Sequence, residues 1–253
     1  MVEPRIVCNF SCGAASAVAT KLILAEYPAG RVSIINAYVK EEHEDNRRFL
    51  ADCEKWFNHP ITILQDEKFG ASATEVWKRK RFLANGMWGA PCSYELKRTV
   101  LNKWCRPEDI FVMGYTIEEE GRIARFFDAN NGRKALFPLV DRNLTHADCL
   151  AIVERAGIEL PAMYRLGYNN ANCIGCCRGG EGYWNKIRVD FPERFEEVCV
   201  IQDILGPGSY IFRDRNTGER FSLRQLPPEK GRHDEELPSC SFFCAMAEKE
   251  IGK

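Results

Sequence analysis

The chain has 253 residues, of which 45% are hydrophobic and 28% are charged, and its formal net charge is −1. This composition is typical of a globular protein with one large domain, or one domain and a small appendage. The near-zero charge excludes a global basic field that would attract nucleic acid or membrane. No apolar run approaches 18 residues and no signal pattern opens the chain, so we expect a cytoplasmic protein with no membrane association.

The stretch from residue 5 to residue 27 combines a short buried strand, a loop of small residues and an Ala-rich helix. Apolar residues recur at helical spacing from Ser16 onward, and residues 11–15 carry no bulky side chain. The amino end of a helix offers unpaired N–H groups and a favourable dipole to an anion. We therefore predict a phosphate or pyrophosphate site; the alternative is a tight strand-to-helix turn that binds nothing.

Strands and helices then alternate along the chain. Apolar runs predict strands at 32–39, 61–64 and 109–115, and the Thr145–Asp148 pair has capping-box spacing before a helix that runs through Glu154. Such alternation predicts an α/β fold, a doubly wound parallel sheet with helices on both faces, over residues 1–160. Ligands of these sheets bind at the carboxyl ends of the strands.

Two charged clusters accompany these elements. Glu41, Glu42 and His43 follow the second strand, and a solvated loop is the simpler interpretation of this cluster. The basic run 78–81 favours a solvated helix face over a phosphate-binding face. This local patch is the feature that leaves a nucleic-acid partner open.

Twelve cysteines are many for a protein of a reducing compartment, where disulfides are rare, so we expect some to be metal ligands or reactive thiols. Cys92 follows Pro91 at the start of a predicted helix, a position that lowers the pKa of a thiol. Five cysteines occur singly in apolar or helical patterns and are predicted to fill the core: Cys8, Cys53, Cys105, Cys149 and Cys199.

The composition changes near residue 160, and we predict a small Cys-rich subdomain with helices and a β-hairpin over 161–253, in which the helical run 182–204 is broken at Pro192. Cys173 and Cys176 form a C-x2-C pair, and Cys240 and Cys244 form a later C-x3-C pair. Two close pairs separated by an insert suit a tetrahedral thiolate site. Zinc and a [4Fe-4S] cluster both accept four thiolates, and coincidental cysteines are the third possibility.

The first loop resembles the Ser-Gly-Gly-x-Asp-Ser pyrophosphate loop of the adenine-nucleotide α-hydrolase (PP-loop ATP pyrophosphatase) superfamily. Ser11, Gly13 and Ser16 match, whereas Cys12 replaces the first Gly and Ala15 replaces the Asp. Later blocks are similar, in the same order, to the PAPS reductase-like family of that superfamily: Glu42-His43, Pro91–Lys97, Gly114–Arg122, Phe137–Leu139 and Tyr164–Cys176. Two departures are Ser93, where four-iron APS reductases carry a second Cys, and the 240–244 tail, which lacks their Cys-Gly-x-His.

The resemblance implies an adenine-nucleotide α-hydrolase-like enzyme that binds ATP with Mg²⁺, or another adenylyl nucleotide. The implied nucleotide-binding residues are Ser11, Cys12, Gly13, Ala14, Ser16, Glu42, Gly114, Tyr115, Glu120 and Arg122. Lys97 and Arg122 would neutralise phosphate charge, while Cys92 and Cys177 are candidate reactive thiols or substitute ligands. Cys173, Cys176, Cys240 and Cys244 are the candidate ligands of the cluster or zinc.

The reaction that this combination implies is adenylation-coupled sulfur transfer, in which ATP is consumed and a Cys-bound iron–sulfur cluster carries sulfur or electrons. The first alternative is a sulfonucleotide (PAPS or APS) reductase. The second is a non-catalytic nucleotide-binding module stabilised by zinc. A nucleic-acid acceptor stays open by analogy with DNA phosphorothioation and tRNA thiolation enzymes, and the sequence assigns no sulfur or electron donor and no oligomeric state.

Overall fold

The fold is built on a five-stranded parallel sheet with the order β3-β2-β1-β4-β5. It is taken from a computed structural model that describes residues 3–84, 89–129 and 132–232. The strands are β1 (Ile6–Asn9), β2 (Val32–Ala37), β3 (Ile61–Leu64), β4 (Ile110–Val112) and β5 (Lys134–Leu136). The predicted α/β fold with a parallel sheet is confirmed.

The helices follow the strands in the predicted alternation. They are α1 (Ala14–Glu26), α2 (Asp45–Phe57), α3 (Ala73–Lys80), a π-helix (Ser93–Thr99), α4 (Val100–Trp104), α5 (Gly121–Ala129), α6 (His146–Arg155), α7 (Ala162–Arg165), α8 (Glu181–Asp190) and α9 (Pro192–Leu205). The capping box before α6 is confirmed, since the Thr145 hydroxyl accepts the Asp148 N–H and Asp148 accepts the Thr145 N–H. The helix α1 begins two residues earlier than predicted. No helix in the described part of the chain has the length and apolar character needed to cross a bilayer.

Successive residues of β1 point to opposite faces of the sheet. Ile6 and Cys8 pack in a core with α1, α2 and α6, whereas Val7 packs in a second core with residues of α4 and α5. Helices therefore cover both faces, as a doubly wound sheet requires. The thiols of Cys8, Cys53, Cys149 and Cys199 are buried as predicted, and Cys105 is half-buried.

A third core joins the two halves of the chain. Residues of α3 and the segment around Leu96 pack in it against α8 and α9. The predicted hairpin is formed by β6 (Phe212–Arg213) and β7 (Arg220–Phe221), which pair antiparallel. The predicted break at Pro192 separates α8 from α9. Residues after 160 thus share their main core with residues before it.

Candidate nucleotide and cysteine site

The strand order reverses between β1 and β4, since β2 and β3 lie on one side of β1 while β4 and β5 lie on the other. In open α/β sheets the crevice at such a reversal, outside the carboxyl ends of the strands, is where ligands bind. The small-residue loop follows β1 and Gly114 follows β4 at this position. The topology therefore brings the loop predicted to bind phosphate to the ligand-binding edge of the sheet.

The loop is closed around the Ser16 hydroxyl. The backbone N–H and the hydroxyl of Ser11 both donate to Ser16 Oγ at 3.2 Å, and Ser16 Oγ donates to the Gly13 carbonyl at 2.8 Å. Gly13 is the N-cap of α1 and has no side chain to satisfy the first helical amides. The amino end of α1 thus presents backbone N–H groups within a narrow turn that the hydrogen bonds of Ser16 hold closed.

Gly114 lets this turn lie directly against β4. A Cβ atom at Gly114 would stand 3.2 Å from both the N and the Cα of Ser16. That separation is shorter than ordinary van der Waals contact, so only glycine fits without displacing the start of α1. Gly114 therefore sets the distance between the small-residue loop and the neighbouring strand.

Cys12 lies in this loop with its side chain turned into the core. Its φ angle is +58°, in the left-handed region, and its thiol is fully buried. Burial raises the pKa of the Cys12 thiol to about 12. Asn36 Nδ2 donates to the Cys12 sulfur at 3.5 Å and to the Phe10 carbonyl at 2.8 Å. Only the backbone of Cys12 is available to a bound nucleotide.

In the acidic cluster after β2, Glu42 is buried and Glu41 is half-buried with its carboxylate hydrogen-bonded, so the solvated-loop interpretation is wrong for these two residues. The Glu42 carboxylate lies 3.3 Å from Lys97 Nζ, 3.7 Å from Arg47 and 3.4 Å from Asn46 Nδ2. Glu41 instead accepts hydrogen bonds from the Ser72 hydroxyl and from the first amides of α3. The local sequence could not reveal these contacts, because the partners of both carboxylates come from distant segments of the chain.

A π-helix carries Lys97 to this carboxylate. Cys92 immediately precedes the π-helix Ser93–Thr99, and Lys97 lies within it with a buried side chain. Wide π turns are rare and occur frequently at functional sites. The helix predicted after Cys92 is therefore present, and its first turns are π-helical.

Cys92, just before the π-helix, contacts the cysteine-rich segment. A hydrogen bond with the Cys177 thiol is the main reason that the pKa of Cys92 falls to about 7, in opposition to burial, and the Lys97 charge lowers it further. The pairing of Cys92 with Cys177 joins two residues that the sequence suggested as reactive thiols. The thiolate form of Cys92 is thus accessible near neutral pH.

The cysteine-rich segment is joined to the end of β2. Cys173 forms an antiparallel bridge with Glu42, and the Ile174 N–H donates to the Glu41 carbonyl at 2.8 Å. The Tyr183 hydroxyl accepts the N–H groups of residues 175 and 176 and donates to the Cys173 carbonyl. The turn that carries the C-x2-C pair is therefore held against the strand edge.

Two of the four candidate metal ligands, Cys240 and Cys244, lie outside the described residues. Within 3–84, 89–129 and 132–232, no group of three or more His, Cys, Asp or Glu side chains is arranged to hold a metal ion. Cys176 and Cys177 are buried, and Cys173 is half-buried. The described segment thus offers one C-x2-C pair to a metal or cluster.

The residues after β4 divide between the edge of the sheet and the surface. Tyr115 is buried, and the Arg122 guanidinium lies 4.4 Å above its ring. Arg122 also forms an ion pair with Glu119, whereas Glu120 is exposed. Glu119, not Glu120, is therefore the acidic partner of Arg122.

Three further residues reach this region but were given no role in the site by the sequence analysis: Asn36, Arg47 and Tyr164. Arg47 lies 4.8 Å above the Tyr38 ring and contacts Asn36 Oδ1 and the Glu42 carboxylate. No local motif marks Asn36 in β2 or Arg47 in α2, whereas Tyr164 begins one of the family-like blocks but received no role there.

A cleft of about 790 Å³ opens beside the same edge, between α3 and the junction of α8 and α9. Glu42 and Ile174 are among its lining residues, and Lys40, Lys78 and Arg194 supply basic groups among several carboxylates. Its volume is in the range of small-molecule sites. It lies next to the cysteine-rich segment.

No protein-family model matches the chain, and no curated protein sequence matches it. Among solved structures, the chain is similar to phosphoadenylyl-sulfate (PAPS) reductase from Candida auris, determined as a phosphate complex. The TM-score is 0.49 at 13% sequence identity, and the match covers 67% of this chain and 81% of that chain.

Proposed function

We propose that the chain is a PAPS reductase-like enzyme that binds ATP, with Mg²⁺, or another adenylyl nucleotide at the carboxyl edge of its sheet. The observation that carries the proposal is the coincidence of the strand-order reversal with the Ser11–Ser16 loop and Gly114. The phosphates would lie against the amino end of α1, where backbone N–H groups and the helix dipole favour negative charge.

The chemistry that we propose for this enzyme is adenylation-coupled sulfur transfer on the thiols beside the nucleotide. Its support is the continuity of the two regions: Glu42 contacts Lys97 and bridges to Cys173, while Cys92 on the same helix contacts Cys177. Lys97 and Arg122 would offset charge that develops on the phosphates. A thiol of lowered pKa is the form needed for nucleophilic attack on sulfur.

A [4Fe-4S] cluster or zinc would be held by Cys173 and Cys176, together with Cys240 and Cys244 beyond the described residues. The C-x2-C spacing and the thiol chemistry of Cys173 and Cys176 would supply half of such a ligand set, and we derive no reaction step from the metal. When bound, a cluster would supply electrons or sulfur, whereas zinc would supply folding energy. A cluster-dependent reductase of PAPS or APS is the alternative within the same site.

Nucleotide binding is tested by calorimetric titration of the full chain with ATP, PAPS and APS. Gly13→Val should abolish binding, because its Cβ would lie 3.3 Å from the Tyr164 hydroxyl and its methyl groups would fill the turn. Gly30→Val is the matched control, since no atom lies within 4 Å of a Cβ at Gly30. Equal affinity of all three proteins would remove the loop from the proposal.

Turnover separates the two enzymes from a binding module. Sulfur transfer consumes ATP and releases AMP and pyrophosphate, whereas a reductase consumes PAPS or APS and an electron donor.

The metal assignment is tested separately: iron, zinc and sulfide are assayed on anaerobically purified wild type, on Cys176→Ser and on the buried-cysteine control Cys199→Ser. Loss of metal in Cys176→Ser alone is expected; full occupancy in that variant would contradict the ligand assignment.

A further inference from the structure

The Tyr164 hydroxyl lies at the amino end of α1. The Ala14 N–H donates to Tyr164 Oη at 3.4 Å, although the two residues are 150 positions apart in the chain. A Cβ atom at Gly13 would lie 3.3 Å from the same oxygen. A side chain from the second half of the chain therefore borders the loop that we propose to bind phosphates.

Contacts on two sides hold Tyr164 in this place. The N–H of Ala162, at the start of α7, donates to Asp45 Oδ2 at 2.7 Å, and the Arg48 guanidinium donates to both oxygens of the same carboxylate. The Tyr164 ring packs against His146, with ring centroids 5.9 Å apart. The position of the hydroxyl is thus imposed by α2, α6 and α7 together.

Among the described residues, the Tyr164 hydroxyl has a partner as an acceptor but none as a donor. A tyrosine hydroxyl donates one proton and accepts hydrogen bonds through its oxygen. Here the oxygen accepts from Ala14, and within the described part of the chain no acceptor faces the proton. Burial raises the pKa of Tyr164 to about 12, so the hydroxyl keeps its proton at neutral pH. The Tyr164 side chain is half-buried, and its hydroxyl proton lies beside the loop, where an acceptor on a bound anion could receive it.

We propose that Tyr164 is a phosphate-binding residue, whose hydroxyl accepts the Ala14 N–H and donates its proton to a phosphate oxygen of the bound nucleotide. This inference rests on the proposed function and names a further residue of the same site. It extends the nucleotide site beyond residue 160. It also gives α7 a role in positioning, since Asp45 holds the segment that carries the hydroxyl.

The test compares Tyr164→Phe with wild type in calorimetric titrations of the full chain with ATP, inorganic pyrophosphate and adenosine. Phenylalanine keeps the ring against His146 and removes only the hydroxyl. Hydrogen bonds to charged groups are among the stronger ones, so the Kd for ATP and for pyrophosphate should rise about tenfold or more. The Kd for adenosine should not change. Tyr27→Phe, at the other end of α1, should bind all three ligands like wild type.

Three outcomes would overturn the inference. If wild type binds ATP and pyrophosphate and Tyr164→Phe binds them equally well, the hydroxyl makes no contact with phosphate. If affinity for adenosine falls in parallel with that for ATP, Tyr164 supports the fold and not the phosphates. If wild type binds neither ATP nor pyrophosphate, the proposed function fails first and this inference fails with it.

A second measurement on the wild-type protein does not depend on the folding of the variant. Labelling with [ζ-13C]tyrosine and comparison with Tyr164→Phe, or with spectra of other single tyrosine variants, assigns the Tyr164 resonance. Pyrophosphate should shift this resonance, because the hydroxyl acquires an acceptor. An unshifted resonance in protein saturated with pyrophosphate would contradict the inference.

Discussion

Among single residues, Glu42 and Lys97 bury opposite charges against each other at the edge of the sheet. Their side chains are only 4% and 10% exposed, and Lys97 Nζ lies 3.3 Å from Glu42 Oε1. The desolvation of such a pair offsets much of its attraction. The pair is therefore better evidence for a positioned lysine beside the proposed phosphates than for stability.

Removal of one member of this pair should cost more than removal of both. Lys97→Met leaves the Glu42 carboxylate buried with Arg47 and Asn46 as its remaining partners, so we expect a loss of about 3 kcal/mol in the free energy of unfolding. Lys97→Met combined with Glu42→Gln should recover part of that loss. Urea unfolding of the wild type, both single variants and the double variant measures the coupling; strictly additive effects would show that the charges do not interact.

Gly114 is a residue whose identity is required by the close packing of the chain after β4 against the start of α1. In Gly114→Ala the new methyl would lie 3.2 Å from the backbone of Ser16, which cannot move aside as a flexible side chain does. We expect a loss of about 1–3 kcal/mol in unfolding free energy, the usual cost of overpacking. Gly30→Ala, which meets no atom within 4 Å, is the control. Equal stability of the two variants would contradict the close approach of β4 to α1.

At the scale of elements, the end of β2 organises three others. In the loop that follows β2, Glu41 caps α3 and Glu42 contacts the π-helix, and the backbone of this loop pairs with the cysteine-rich segment. The Glu41 carboxylate accepts hydrogen bonds from Ser72 Oγ at 2.7 Å and from the N–H groups of Ala73 and Thr74 at 2.8 and 3.1 Å. A carboxylate at this position also interacts favourably with the dipole of α3.

The cap on α3 should make stability depend on pH. Burial opposes ionisation of Glu41, but the hydrogen bonds from Ser72, Ala73 and Thr74 outweigh it and lower the pKa below its ordinary value of 4.5. The stabilisation is therefore present above pH 4.5 and is lost as the pH falls through the folded-state pKa. The stability difference between wild type and Glu41→Gln should shrink over that acid range in chemical unfolding; a constant difference down to pH 3 would refute the prediction.

At the scale of the whole molecule, the described part of the predicted subdomain, residues 161–232, shares its core with residues before 161. Trp184 and Ile187 of α8 and Val198 of α9 belong to one cluster with Trp77 of α3 and Leu96 of the π-helix. The two cores on the faces of the sheet, by contrast, are made from residues before 161. Burial of shared apolar surface therefore couples the cysteine-rich segment to the sheet.

This asymmetry predicts different behaviour for the two fragments. Residues 1–160 expressed alone should unfold cooperatively, because both sheet cores are complete in them. Residues 161–253 alone, with or without zinc, should show no cooperative transition, since the apolar partners that α3 and the π-helix supply to their core are missing. Thermal unfolding followed by circular dichroism checks both; a cooperative transition of the second fragment would favour an independent domain.

The sequence by itself determined the elements and their class. Apolar periodicity predicted four of the five strands, β1 to β4, but not β5; the Thr145–Asp148 pair predicted the start of α6, and Pro192 predicted the break between α8 and α9. These features depend on neighbours within a few residues, which is the range over which backbone geometry and capping act. The small-residue loop was likewise visible, because strand, loop and helix are contiguous.

Only the tertiary structure decided what the side chains of the site contact. Lys97 meets Glu42 across 55 positions and Tyr164 meets Ala14 across 150, while Cys12 turns its thiol into the core because its backbone is left-handed. No local pattern encodes such pairs, since each depends on where the sheet brings distant segments together. The strand order, which creates the crevice at β1 and β4, is decided at the same level by the packing of helices on both faces.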